Sequence, residues 1–256
     1  MGMSVNTNVG AMLALQNLNK SNKMLETTQL HITTGLKVNG PKDDAATYAI
    51  AQRMRGDIAG MGAVKTALSN GEATVNVAIT AGKAVADMLT EMKAKTVQAN
   101  QAGLDTASKD ALQNDFTSLR DQLTTIVQTA EFNGKNLITS TATSLTVLST
   151  VDGSTISVAA QKLDTTTLGI NASNISSGAS AALVAIDAAI NTVTSSLASM
   201  GSSSKRIDVQ SEFTVQLVDI LKEGVGNLVD ADLAEESAAL QSLQIKQQLG
   251  VQALSI

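Results

Sequence analysis

With 256 residues and 43% hydrophobic content the chain can bury a substantial core, yet aromatics are only 2% and Trp is absent, so a thin bundle of aliphatic seams suits it better than a thick globular interior. A formal net charge of -5 with no Lys/Arg cluster excludes nucleic acid as a partner, because phosphate binding needs a basic face. The absence of Cys removes disulfides, thiol chemistry and Cys-based metal sites, and suits either a reducing cytosol or an exported protein held by packing alone.

The first residues, Met-Gly-Met-Ser-Val-Asn-Thr-Asn, carry neither the charged nor the apolar region of a cleaved secretory signal. Asn6 stands where a myristoylated Gly2 would need Ser or Thr. No uninterrupted apolar run approaches about 18 residues, so no membrane insertion is expected. A helix follows, in which Leu15, Leu18, Asn22, Leu25, Gln29, Ile32 and Leu36 keep the 3-4 spacing of a coiled-coil face. Residues 1 to 36 contain only Lys20, Lys23 and Glu26 as charges, and 237 to 256 only Lys246. Such polar but uncharged helices look built to pack on several neighbours rather than to stand alone in water.

Gly35 to Ala46 combines helix breakers, among them Gly35, Gly40 and Pro41, with the restart signal Asp43-Asp44. The helix predicted from about 44 to 99 would be on the order of 80 Å long at about 1.5 Å per residue. Its seam runs from Ile50 through Met54, Asp57, Met61, Val64, Leu68, Gly71, Val75, Ala78, Gly82, Val85 and Leu89 to Met92. The methionines of this helix read as core filler, and its glycines as places of close approach or bending. After Gly103 a further helix carries Leu112, Phe116, Leu119, Leu123, Ile126 and Ala130, and stops before the tight-turn pair Asn133-Gly134.

From Thr139 to Ser180 helical periodicity is lost, and 18 of the 42 residues are Ser or Thr. Alternating apolar residues on either side of Asp152-Gly153 predict a hairpin with a two-residue turn. The segment reads as a solvated hairpin plus linker, or else as a modified or recognised site in which Thr139, Ser140, Thr141, Thr143 and Ser144 are candidate acceptors for O-linked sugars. The C-terminal half then repeats the N-terminal seams in reverse. A long seam from Leu183 to Leu228 holds one phase, slips near Asp230 and Asp232, and gives way to Leu233, Leu240, Leu243 and Leu254. The fold class is therefore mainly α: a long antiparallel bundle or coiled coil formed by both chain ends, with a small β-hairpin excursion in the middle.

Chemistry-bearing patterns are sparse. The single histidine, His31, lies beside Ile32 among Thr and Leu rather than carboxylates and reads as structural, so neither a triad nor a His-based zinc motif is expected, and no cofactor is implied. The acidic residues at the two breaks match no calcium-loop spacing and read as helix caps.

Taken together, Val5-Asn6-Thr7-Asn8, Leu15-Gln16-Asn17-Leu18-Asn19-Lys20-Ser21, Thr34-Gly35-Leu36-Lys37-Val38-Asn39, Lys42-Asp43-Asp44-Ala45-Ala46 and Phe132-Asn133-Gly134 resemble the N-terminal region of bacterial flagellin. Val225 to Ser237 and Gln247 to Leu254 are similar to the C-terminal region of alphaproteobacterial flagellins. The resemblance implies an inner domain from 1–42 and 229–256, a helical rod from 43–138 and 181–228, and a short variable region at 139–180. Gly35, Gly40, Pro41, Asp43, Asp44, Asp230 and Asp232 would form the connectors. It further implies a structural, non-enzymatic subunit that polymerises into the extracellular flagellar filament for swimming. Leu15, Leu18, Leu25, Ile32, Leu233, Leu240, Leu243 and Leu254 would drive that polymerisation.

The implied partners are copies of the chain itself, the flagellar export apparatus, a flagellin chaperone, and the filament cap and hook-junction proteins. Lys93, Ala94 and Lys95 stand where the family version favoured by Toll-like receptors differs, so weak receptor recognition is expected. Family members usually run on past Ile256 for roughly four more helical turns, so this end is expected to be either extended in the natural protein or unusual. A hook-filament junction protein or a filament-associated adhesin is the alternative reading.

Overall fold

The computed structural model describes residues 8–254, and the side chains of 253 and 254 are not described; the Val5-Asn6-Thr7 motif, the side chain of Leu254 and the chain end therefore lie outside the described residues. The elements in order are α1 (Val9–Thr34), α2 (Ala45–Ala99), α3 (Thr106–Thr129), β1 (Glu131–Phe132), β2 (Lys135–Asn136), β3 (Leu145–Leu148), β4 (Thr155–Val158), α4 (Ile175–Val229) and α5 (Leu233–Leu254). They form two compact units, one of Met1–Ala59 with Leu217–Ile256, the other of Gly60–Gln216.

The second unit is built on the mirrored seams. As the position on α2 falls from Lys93 through Gly82 to Asn76, its partner on α4 rises from Asp187 through Leu197 to Ser204, which sets the two helices antiparallel. Along this register Val64, Leu68, Val75, Ala78, Val85, Leu89 and Met92 of α2 are buried with Ile186, Val193, Met200 and Ile207 of α4. The third helix adds Phe116, Leu123 and Val127 to the same core. Gln113 Oε1 accepts the Ile175 amide at 2.6 Å, and the Arg120 guanidinium donates to the Asn171 carbonyl at 2.8 Å, tying α3 to the approach to α4.

A buried threonine hydroxyl needs a hydrogen-bond partner. In α2 and α4, Thr74, Thr96 and Thr214 are buried with Oγ1 donating to the carbonyl four residues back, at 2.8 Å in each case. Local back-bonding leaves none of these three buried hydroxyls without a partner.

The β region departs from expectation. Asn133 (φ 49) and Gly134 (φ 72) make the two-residue turn of the β1–β2 hairpin, both at the positive φ that a type I′ turn requires. In the β3–β4 hairpin, however, Leu148 pairs with Thr155, and the Ser149 amide donates to the Ser154 carbonyl. The connection is thus four residues, 150–153, and Val151 sits exposed at its tip instead of in a strand. Only one face of the segment is solvated. Val147, Ile156, Val158, Leu163, Leu168 and Ile170 all join the core, because the alternating apolar face has α2 beneath it. The last helix of this unit also starts earlier than 181, at Ile175, and passes Gly178 with a non-helical φ of -139 and ψ of 41.

Although no uninterrupted apolar run of membrane length exists, α4 contains an 18-residue window of mean hydropathy 1.4, apolar enough to cross a membrane by length and composition. In the fold Ala182, Ile186, Ala189 and Val193 of this helix are buried against the core.

Glycines on α2 have opposite meanings. A Cβ at Gly71 would lie 2.5 Å from the buried Val147 Cγ2, whereas one at Gly62 would meet nothing within 4 Å. Gly71→Val is therefore expected to cost about 1–3 kcal/mol by overpacking, while Gly62→Ala gains up to about 1 kcal/mol of helix propensity. Thermal unfolding of the two variants should move in opposite directions, and a shared sign would refute the packing role assigned to Gly71.

Two caps make stability acid-sensitive. Asp105 Oδ1 accepts the Ser108 amide at 3.2 Å at the start of α3. At the start of α2, Asp44 Oδ2 accepts the Thr47 hydroxyl at 2.6 Å, and its Oδ1 the Thr47 and Ala46 amides. Hydrogen bonds from Ser108 and Thr47, the side chain first and the amide second, hold these carboxyls below the ordinary carboxylate range. A carboxyl lowered in this way stabilises the fold fully above its unfolded value near 4, and that contribution is lost as pH falls through the lower folded value. Melting temperature is expected to fall as pH drops below about 4 and through the lowered folded values. The double variant Asp44→Asn/Asp105→Asn keeps acceptor oxygens without the titration and should lose less over that window. Equal acid losses in the two proteins would rule the caps out as the cause.

Candidate functional site

Within the first unit, α1 and α5 lie side by side. The first helix is closed by Asn8, whose Oδ1 accepts the Ala11 amide at 3.1 Å, and by Gly35, which at φ 70 donates its amide to the His31 carbonyl at 2.8 Å. Asp232 caps α5 by accepting the Ala234 and Glu235 amides. Between these ends the two connectors meet as a short antiparallel bridge. Leu36 pairs with Asp230, the Val229 carbonyl accepts from Lys37 at 2.8 Å, and the Gly35 carbonyl accepts from Ala231 at 2.9 Å. Asp43 Oδ2 accepts the Asn39 and Gly40 amides at 3.0 Å each, and Pro41 is exposed in the turn that follows. Val38, Ala51, Val225 and Val229 form a small core beneath the bridge.

Side-chain contacts fix the register of the pair. His31 meets Glu236, Asn22 meets Gln247, and Leu18 lies against Gly250, so α1 and α5 run antiparallel. The His31 surroundings expected from sequence are corrected here. Its Nδ1–H donates to the Glu236 carboxylate at 2.7 Å, and its buried Nε2 has no hydrogen-bond partner in the structure. Glu236 is 205 positions away in the chain and reaches His31 only through the helix pairing. A Glu-oriented imidazole still needs a nucleophile, and among the described residues no group of three or more His, Asp or Glu side chains converges in a metal-binding arrangement.

The seam leucines divide by position. Leu243 is buried, while Leu18, Leu25, Ile32 and Leu240 are half-buried. Leu15 and Leu233 remain 51% and 52% exposed. A second set was missed by the heptad trace: Val9, Met12, Leu13, Met24 and Leu30 on α1, with Ile245, Leu249 and Val251 on α5, are all large, apolar and exposed. Ten of the seventeen such residues among the described ones therefore belong to these two helices. A groove of about 620 Å³ runs between them, lined by Leu18, Met24, Leu243 and Leu249, with Lys20 and Lys246 at its margin. The available signal was the sequence's poverty in charge combined with apolar residues spread around both helices instead of along one stripe.

Of the hydroxyls considered as sugar acceptors, Ser140, Thr141, Thr143 and Ser144 are exposed and Thr139 is half-buried. Thr143 Oγ1 accepts a 2.6 Å hydrogen bond from Lys135 Nζ.

Burying a side chain the size of Leu or Met is worth about 1.5–3 kcal/mol. Ten of them left in water on one helix pair make a strong drive toward association, and soluble monomers rarely expose such extended apolar surface. The fold is that of a mainly helical structural protein. Residues 5–143 match the family model of the bacterial flagellin N-terminal helical region, and 183–256 that of the flagellin C-terminal helical region. The chain is 47% identical to flagellin FljM of Caulobacter vibrioides, across 99% of its own length and 94% of that protein, and 34% identical to flagellin C of Rhizobium meliloti, across 99% and 95%. The chain belongs to the bacterial flagellin family, alphaproteobacterial in type, and is a structural subunit that polymerises into the flagellar filament for swimming motility. A putative flagellar hook-associated protein from Vibrio parahaemolyticus shares the fold, with a TM-score of 0.60 over 73% of this chain and all of that one. At 15% identity the likeness is one of fold alone.

Proposed function

We propose that the two terminal helices, paired within the subunit, are the polymerisation surface of the filament. In this reading Leu18, Leu25, Ile32, Leu240 and Leu243 hold α1 on α5, while Leu15 and Leu233, joined by the exposed set on both helices, are covered by neighbouring copies. The observation that carries the reading is the concentration of exposed apolar side chains on helices with few charges. A head-to-tail contact that does not close on itself propagates as an open helical polymer. The segments 1–42 and 229–256 would then form the inner layer, 43–138 and 181–228 the rod, and 139–180 the outward part. Gly35 to Asp44 and Asp230 to Asp232 would form the connectors, and the hydroxyls from Thr139 to Ser144 would be the places for sugar.

The same reading places the chain outside the cell, exported by the flagellar apparatus, escorted by a flagellin chaperone and assembled beneath a cap on hook-junction proteins. It has no enzymatic role, since its one histidine is spent on the helix pair. Toll-like receptor recognition is weak in this reading, because Lys93, Ala94 and Lys95 depart from the family version that the receptor favours.

Seeded growth tests the reading. Protein depolymerised by acid or heat and returned to neutral pH with filament fragments should elongate them under the electron microscope. Persistent monomers with intact helix content would overturn it and move the junction or adhesin reading ahead.

A further inference from the structure

Among the described residues, the methionines include two groups with opposite surroundings. Met92 and Met200 are 0% and 1% exposed and Met88 is buried, whereas Met12 and Met24 of α1 are 64% and 49% exposed. Met12 lies one helical turn from Val9 and beside Leu13, in the most exposed apolar stretch of the helix, and Met24 lines the groove with Leu18, Leu243 and Leu249. The chain has no Cys and no Trp, so the thioethers are its softest oxidisable groups.

We propose that Met12 and Met24 form an oxidation-sensitive site on the assembly face, where S-oxygenation by a hydroperoxide keeps the subunit out of the polymer until the sulfoxides are reduced. The inference rests on the assembly role assigned to α1. The thioether sulfur attacks one peroxide oxygen, the O–O bond breaks as the S–O bond forms, and the other oxygen leaves after proton transfer as water from hydrogen peroxide or as the alcohol from an organic hydroperoxide. Sulfur is oxidised by two electrons and the peroxide is reduced by two. A flexible apolar side chain becomes polar and chiral, with an oxygen that demands hydrogen bonds where a neighbouring apolar surface offers none. Thiol-driven methionine sulfoxide reductases of both stereochemical classes reverse the step. Subunits in the polymer, whose α1 faces are covered, should resist the same oxidant, so sensitivity belongs to the free subunit.

Monomeric full-length protein would be exposed to hydrogen peroxide, mapped by peptide mass spectrometry and tested for elongation of filament fragments. Oxygen should appear on Met12 and Met24 before Met88, Met92 and Met200. Elongation should fall about tenfold and recover after treatment with the two reductases. The Met12→Leu/Met24→Leu variant should elongate fragments equally before and after peroxide. Undiminished growth of protein oxidised at both sites, or equal inhibition of the double variant, would overturn this proposal alone. If unoxidised protein fails to add to fragments, the assembly reading falls and this proposal with it.

Discussion

Leu13→Asp combined with Leu249→Asp is expected to abolish assembly while leaving the monomer folded. Both side chains are more than half exposed in the monomer, at 57% and 58%, and lie on α1 and α5. Surface substitutions away from packed features usually change stability by no more than about 0.5 kcal/mol, so circular dichroism and melting should stay close to the parent. In the polymer the same positions become interfacial. An unpaired carboxylate forced into an apolar contact costs several kcal/mol, and each 1.4 kcal/mol is about tenfold in an association constant. The critical concentration for elongation is thus expected to rise about 100-fold or more. The Leu13→Met/Leu249→Met pair, close in volume and still apolar, should elongate near the parental concentration. Sedimentation of filaments across a concentration series measures both, and parental assembly by the charged pair would remove these helices from the contact.

Phe116→Ala is expected to have the largest effect on folding. The ring is fully buried on α3, in a chain with only three Phe, where no other aromatic ring belongs to the main core. Its removal leaves a cavity that aliphatic neighbours on two other helices cannot collapse to fill, at about 3–5 kcal/mol. For a domain of this size each kcal/mol corresponds to about 2–4 °C, so the melting temperature should drop by the order of 10 °C. Phe213→Ala is the contrast, since that ring is 55% exposed and its loss should barely move the monomer's melting. Similar shifts for the two variants would mean that the core is not organised around Phe116.

The mirrored seams were legible because a period near 3.5 carried over many turns leaves little freedom about which face is inside. Val64, Leu68, Val75, Val85, Leu89 and Met92 are buried on α2 as that spacing requires. Asn133-Gly134 was legible for a different reason, since few residue pairs accept positive φ at both turn positions. Burial of the apolar face of the Ser/Thr-rich middle was not legible, although most of its hydroxyls are exposed. Hydroxyl density marks exposure only when nothing packs beneath, and Gly71, lacking a Cβ, lets Val147 approach α2 closely. The outer apolar face of α1 was missed because a heptad trace selects one stripe, whereas this helix carries two.

Sequence alone determined the helical class, the joining of the two ends, the family, and the scarcity of catalytic groups, all of which follow from local periodicity, short motifs and residue inventory. Tertiary structure decided which seam residues are spent within the subunit and which remain in water, since that depends on what lies opposite each side chain. Leu243 and Leu249 are six residues apart on one helix, yet α1 covers the first and leaves most of the second exposed. His31 and Glu236 become partners only when the antiparallel register of α1 and α5 brings distant parts of the chain to 2.7 Å.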